Sequence, residues 1–342
     1  MSSRKEISIS LVRHLKMRKV EYLSPTSISK FYSNITEFYL TYLSDNRPEK
    51  IGQTKPMAIG SAFDAYAKSY LYDRVIGDKN SKFDFTTLFE AQVEPQNRDI
   101  ALVDGKRAFD LYLESGALGD LMIELNSAIG LPRFEIDIRG IVEGKREGVT
   151  KNIGGVMFLG KPDVFFINRH GVYVIFDWKC NGYYSYSPPP PMPGYVRLRQ
   201  KVSSKYVNVG QHRNAQPMNY GGVMVNYATT LDLVNQDWAR QLSIYSWLCG
   251  MEIGAKFIAA IDQLVSNDIR VAEHRLHVSE AFQWDTYAKA EHVWDVVTSN
   301  HIFRDLTLEQ SQERCHQLDT IGSALKGDGS PEDKWFNQIA RS

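Results

Sequence analysis

The chain has 342 residues, 43% of them hydrophobic and 12% aromatic, which is enough apolar material for a full-sized core in one large elaborated domain or two small ones. Its 40 Lys and Arg residues balance its 40 Asp and Glu residues, which argues against a protein that coats nucleic acid through bulk positive charge; any surface for a polyanion must be a local patch. Cys180, Cys249 and Cys315 lie far apart with no CxxC spacing, which argues against a disulfide framework or a four-cysteine metal site and fits a reducing cytoplasm.

Met1-Ser-Ser-Arg-Lys-Glu is charged and no apolar run follows it, so no signal peptide is expected. No stretch approaches the ~18 apolar residues of a membrane span, and no membrane partner is expected. From Ser24, Ile28, Phe31, Ile35, Phe38 and Tyr42 recur at helical spacing behind Ser and Thr residues able to cap a helix. A second helix is expected over Ile59–Tyr72, and one or two more between Asp84 and Ile129. Alternating apolar and polar residues from Phe134 predict a first strand. Gly155–Ile167 reads as a second, Asn168-Arg-His-Gly as a turn, and Val172–Lys179 as a third. A helix over Asp237–Gly250, strands near Ile258 and Val271, and helices from Ser279 and Thr307 complete the expected order.

Between Lys179 and Asp237 the composition changes. Pro188-Pro-Pro-Pro-Met-Pro is a stiff, extended run. From 181 to 236 five basic residues (Arg197, Arg199, Lys201, Lys205 and Arg213) face one acidic residue, Asp232, and are interleaved with Tyr195, Tyr206 and Tyr220. Two readings stay open: a solvated insertion loop, or an arm that contacts phosphates while tyrosines stack on bases.

Asp163 and Asp177 lie fourteen positions apart on either side of the expected turn, so strand pairing can bring them together. Asp177 and Lys179 are two apart and share a strand face, with Trp178 on the opposite one. Val172, Val174 and Phe176 alternate with Tyr173 and Ile175, so the strand is apolar on both faces and expected to be central. A charged pair at its end is costly unless it is paired or bound to a cation. Oxygen ligands of this kind suit Mg2+, and a lysine beside them can orient a water or stabilise developing negative charge.

Gly160-Lys-Pro-Asp163 followed by Phe176-Asp177-Trp-Lys179 resembles the Gly-x-x-Asp … Asp-x-Lys signature of the PD-(D/E)XK nuclease superfamily. Three further segments are similar to its RecB-like branch: the Ser-rich opening from Ser24-Pro-Thr-Ser-Ile-Ser-Lys-Phe-Tyr, Gly60-Ser-Ala-Phe-Asp64 where the branch has Gly-x-x-x-His, and Gln241-Leu-Ser-Ile-Tyr245, which matches Gln-x-x-x-Tyr. The resemblance spans roughly 24–260. It implies an α/β (α+β) restriction-endonuclease-like αβββαβ core with a mixed central sheet, N-terminal helices, and a long insertion after the third strand.

On this reading residues 1–320 form a single nuclease domain: a helical part over 24–130, a catalytic core over 131–277 carrying the 181–236 insertion, and helices over 279–320. A polar, loosely held tail follows at 321–342. The resemblance further implies Asp163, Asp177 and Asp64 as metal ligands, with Glu135 a lower-ranked candidate, and Mg2+ as cofactor, for which Mn2+ can substitute. Lys179 would act on the attacking water, and Gln241 and Tyr245 would position it. Asp64 replaces the branch's histidine, a change that favours a hard ion. With no cysteine in the opening helix, no iron–sulfur cluster is expected, and no nucleotide-binding loop for unwinding is present.

The expected activity is a DNA exonuclease of recombination, repair or phage DNA processing, acting in the cytoplasm (the host's, if phage-encoded). DNA is the expected partner; a recombination or replication protein and an oligomeric form are both compatible with the fold. The alternatives are a structure-selective or nicking endonuclease and a non-catalytic nucleic-acid-binding or interaction module on the same fold.

Overall fold

The computed structural model of this chain describes residues 17–46, 52–77, 83–134, 149–182, 189–265 and 270–326. Among them it is a mixed α/β protein with ten α-helices and a largest sheet of seven strands. Two compact units are distinguished, one made of Met1–Glu21, Ser27–Lys50 and His292–Ser342, the other of Tyr22–Thr26 and Ile51–Glu291.

In the first unit, the helical spacing read from Ile28 to Tyr42 corresponds to two short helices, α1 (Pro25–Ser33) and α2 (Ile35–Phe38), followed by a π-helical turn over Tyr39–Leu43. Asn34 divides them: its extended backbone interrupts the first helix, and its side-chain oxygen accepts the Glu37 amide to cap the second. The Tyr39 hydroxyl donates to Asp319 at 2.9 Å. Asp319 lies on the chain's last described helix, Leu308–Lys326, which runs beyond residue 320, where the composition had indicated a loose tail.

The second unit holds the helices α3 (Lys55–Val75), α4 (Phe85–Gln92), α5 (Arg98–Glu114), α6 (Ala117–Asn126), α7 (Leu231–Val234) and α8 (Gln236–Leu248). The main sheet runs β1 (Ile129–Phe134), β4 (Val164–Ile167), β5 (Tyr173–Asn181), β10 (Ile258–Val265), β11 (Arg270–Leu276), β6 (Arg197–Val202), β7 (Lys205–Asn208). Its pairings are antiparallel except that between β5 and β10. Two small hairpins, β2 (Val149–Ile153) with β3 (Val156–Gly160) and β8 (Pro217–Tyr220) with β9 (Val223–Asn226), stand apart from it.

The expected strand over 155–167 is broken. Lys161-Pro-Asp163 separates β3 from β4, so that β3 pairs with β2 while β4 pairs with β5. Pro162 has no amide hydrogen for a ladder, which makes this the natural place for the chain to change sheets. The following turn is as read: the Asn168 side chain accepts the His170 and Val172 amides, and Gly171 takes φ +79°. The first strand lies at Ile129–Phe134, earlier than expected; the segment from 135 to 148, including Glu135, falls outside the described residues.

The long insertion is not merely a loop. It supplies β6 to β9, and β6 extends the main sheet by pairing with β11. On β5, Val174, Phe176 and Trp178 pack into the core formed with α3, α5 and α6, while Ile175, Asp177 and Lys179 alternate onto the opposite face. Close approach of α3 and α5 depends on Gly105, where a Cβ would lie 2.5 Å from that of Ala62.

Candidate active site

Asp163 and Asp177 meet because of hairpin register. Val164 pairs with Phe176, which places the two aspartates together one step further along β4 and β5. The Trp178 amide donates to Asp163 Oδ2 at 3.0 Å, and the Trp178 indole donates to the Tyr112 hydroxyl at 3.2 Å. Tyr112 donates in turn to the buried Asp262 at 2.6 Å, so β5 is anchored from its far face. Asp177 is 2% exposed and lies in the middle of β5 rather than at the strand end expected, because pairing with β10 carries the strand on to Asn181.

Helix α8 brings the second half of the constellation. Asn235 caps it by accepting the Trp238 amide, and Gln241 and Tyr245 then project one turn apart. Gln241 uses both ends of its amide. Its Oε1 accepts Lys179 Nζ at 2.8 Å, while Nε2 donates to the Tyr245 hydroxyl at 2.9 Å and, at a longer 3.4 Å, to Asp177 Oδ1. Gly160 makes room for this: a Cβ there would come within 2.7 Å of the Tyr245 ring and 2.6 Å of Leu248.

Lys179 Nζ stands 2.5 Å from Asp177 Oδ2. The two form a close ion pair, and Asp177 Oδ2 is buried. Burial opposes the Lys179 charge, but Asp177 beside it prevails and the ammonium pKa is raised. The Asp177 carboxyl is raised to about 7, chiefly by burial, with Lys179 opposing the rise and Asp163 adding to it. The Tyr245 phenol and the neighbouring Cys180 thiol are both pushed well up, chiefly by burial, and stay protonated.

These groups line a cleft of about 630 Å³ with Asp64, Lys68, Lys161 and, on one wall, Pro56, Met57, Leu88 and Ala91. Asp163, Asp177, Lys179, Gln241, Tyr245 and Asp64 are thus brought to one place. The sequence reading overlooked Lys68. It is 2% exposed and donates to Asp64 at 2.7 Å and Asp163 at 3.0 Å. Its signal was available: a lysine one turn after Asp64 on a helix whose neighbouring positions are Ala62, Phe63, Ala65, Ala67 and Leu71.

The basic residues of the insertion lie elsewhere, and three have carboxylate partners. Arg199 pairs with Glu273 and, at 2.6 Å, with Asp120; Arg197 reaches Asp120 at 2.5 Å; Lys201 reaches Glu114 at 2.9 Å. Lys205 and Arg213 are exposed.

Asp64, Asp163 and Asp177 offer hard oxygen donors in one cleft, so the chemistry of the donor set fits a hard divalent ion. They do not form a finished cage: among the described residues no three His, Cys, Asp or Glu side chains converge closely enough to hold a metal by themselves. Such an incomplete set suits an ion that retains waters and takes a further ligand from a phosphate. A scan of protein-family models and searches of curated proteins and of solved structures returned no match to this chain. Among the described residues no helix is long and apolar enough to cross a membrane.

Proposed function

We propose that this chain is a divalent-metal-dependent deoxyribonuclease of the PD-(D/E)XK kind, in its RecB-like branch, and that it acts as an exonuclease. One observation carries the reading: two aspartates, a lysine, a glutamine and a tyrosine from three separated segments share one cleft, in a single hydrogen-bonded and ion-paired set. A surface ion pair would not need a carboxylate only 2% exposed or a glutamine clamped at both ends.

In this mechanism Asp163 and Asp177 hold Mg2+, with Mn2+ able to substitute. The ion supplies charge compensation for the phosphate and lowers the pKa of a bound water. Lys179, kept cationic by Asp177, orients the attacking water and stabilises charge developing on the phosphate oxygens. Gln241 fixes the Lys179 ammonium, and Tyr245 fixes Gln241. The apolar wall of Pro56, Met57, Leu88 and Ala91 gives a nucleotide a surface to lie against and displaces water.

The deciding experiment incubates end-labelled linear DNA and closed circular DNA with the protein, with Mg2+ present or chelated, alongside Asp177→Asn. Loss of the linear substrate alone, dependent on Mg2+ and absent in the variant, is expected. Cleavage of the circle would move the assignment to an endonuclease.

A second reading has an observation of its own. Lys68 already engages both Asp64 and Asp163, which suits a nuclease fold retained for binding rather than hydrolysis. Binding of DNA without cleavage of either substrate under Mg2+ or Mn2+ would establish it.

A further inference from the structure

Lys68 lies between Asp64 and Asp163, within ion-pairing distance of both. Its side chain is 3% exposed, on a helix held close to its neighbour by the Gly105 contact, so its ammonium is delivered into the cleft by a rigid element. An ordinary i,i+4 pair would be complete with Asp64. Lys68 makes a second contact to Asp163, which comes from a different element and is the first acid of the hairpin motif. The two contacts have the lengths of charge-assisted hydrogen bonds. A metal bridging Asp64 and Asp163 would have to displace the ammonium and leave it buried without its carboxylates, a costly arrangement.

The charges point the same way. Three carboxylates, Asp64, Asp163 and Asp177, share the cleft with three ammonium groups, Lys68, Lys161 and Lys179, so its formal charge is balanced without a metal. One divalent ion leaves two positive charges, suited to a phosphodiester. Two ions would leave four positive charges in a confined, partly desolvated space, where like charges are screened poorly.

We infer that Lys68 serves as a built-in second cation, so that this centre takes one divalent ion, on Asp163 and Asp177, with Asp64 acting as the partner of Lys68 rather than as a metal ligand. The inference rests on the metal-dependent reading above and adds the stoichiometry of the site.

The test counts bound Mn2+ on the full chain by electron paramagnetic resonance titration, without DNA. One ion is expected for the wild type and for Lys68→Arg. Two are expected for Lys68→Met, the second binding within about tenfold of the first. Lys68→Gln, which retains hydrogen-bonding capacity, replaces Lys68→Met if that variant does not fold, and the wild-type count decides even without either. Two ions in the wild type, or one in a folded neutral variant, overturn the inference while leaving metal dependence standing. No bound ion in the wild type sinks both.

Discussion

Asp177 is the residue on which the proposed chemistry depends most directly, because it is buried, lies beside Asp163 and is ion-paired with Lys179. Asp177→Asn keeps the shape and removes the charge, so cleavage under Mg2+ should fall by about a thousandfold or more, measured as single-turnover release of labelled nucleotide. Gln241→Ala leaves Asp177 and Lys179 in place but releases the ammonium and the phenol. A loss of roughly 10–100-fold is expected, the size typical for groups that orient a metal's surroundings. Gly160→Ala acts through Tyr245, whose ring stands within 2.7 Å of the added carbon. It should reduce the cleavage rate and cost about 1–3 kcal/mol of stability from overpacking, seen as a lower urea midpoint. At this scale most of the site was legible, since motif residues carry their own spacing. Lys68 was not: an Asp–Lys pair one turn apart is the commonest form of helix-surface ion pair, and only the arrival of Asp163 from β4 makes it a site residue.

Among the elements, β6 changes the meaning of the insertion. A run of basic residues in a sequence cannot distinguish an arm reaching for phosphate from a strand that brings its own counter-charges into a fold. Here Arg199 is 12% and Glu273 8% exposed at the side chain, and the two meet diagonally across the pairing of β6 with β11, where Glu273 is opposite Arg197. Arg199→Met therefore leaves the largely buried Glu273 carboxylate with only its longer, 3.6 Å contact to Arg197 and should destabilise the protein by roughly 1–3 kcal/mol. Adding Glu273→Gln should recover part of that loss, and chemical denaturation of the two variants checks both statements. If Arg199→Met instead weakens DNA binding with no change in stability, β6 is an arm after all. Lys205 and Arg213 are the exposed basic residues of this segment, and replacing both with Ser should reduce the salt dependence of DNA binding by a slope of about 1–2. The break between β3 and β4 has a similar cause. Pro162 was visible, but whether β3 continues into the main sheet depends on β2 lying ready to pair with it.

For the molecule as a whole, burying several carboxylates and ammonium groups around one cleft makes stability depend on pH and on metal. The Asp177 carboxyl rises from an ordinary 3.8 to about 7 in the folded, metal-free protein, first because of burial. A carboxyl that titrates higher in the folded state favours folding at low pH, and that contribution is lost as pH rises from about 4 to about 7. Without metal, Asp177→Asn should therefore be more stable than the wild type at pH 8 and nearly equal to it at pH 4. Mg2+ should raise the Tm of the wild type and have little effect on that of the variant; thermal melts at the two pH values with and without Mg2+ check this. His274 works in the opposite direction. Its burial depresses its pKa to about 3, so the stability it contributes is present above pH 6.5 and lost as pH falls toward 3. Comparing wild type with Asp177→Asn under identical conditions cancels the His274 contribution.

The sequence by itself determined the order of most elements, the central, doubly buried character of β5, the turn at Asn168–Gly171, and the set of polar residues worth considering together. These follow from short-range periodicity and from glycine, proline and asparagine acting locally. Only the tertiary structure decided that the insertion joins the main sheet, that three of its basic residues are committed to carboxylates, and that a lysine from α3 stands between Asp64 and Asp163. Those outcomes depend on which charges come to face one another across segments far apart in sequence. Pairing of that kind is set by packing and desolvation, to which local spacing is blind.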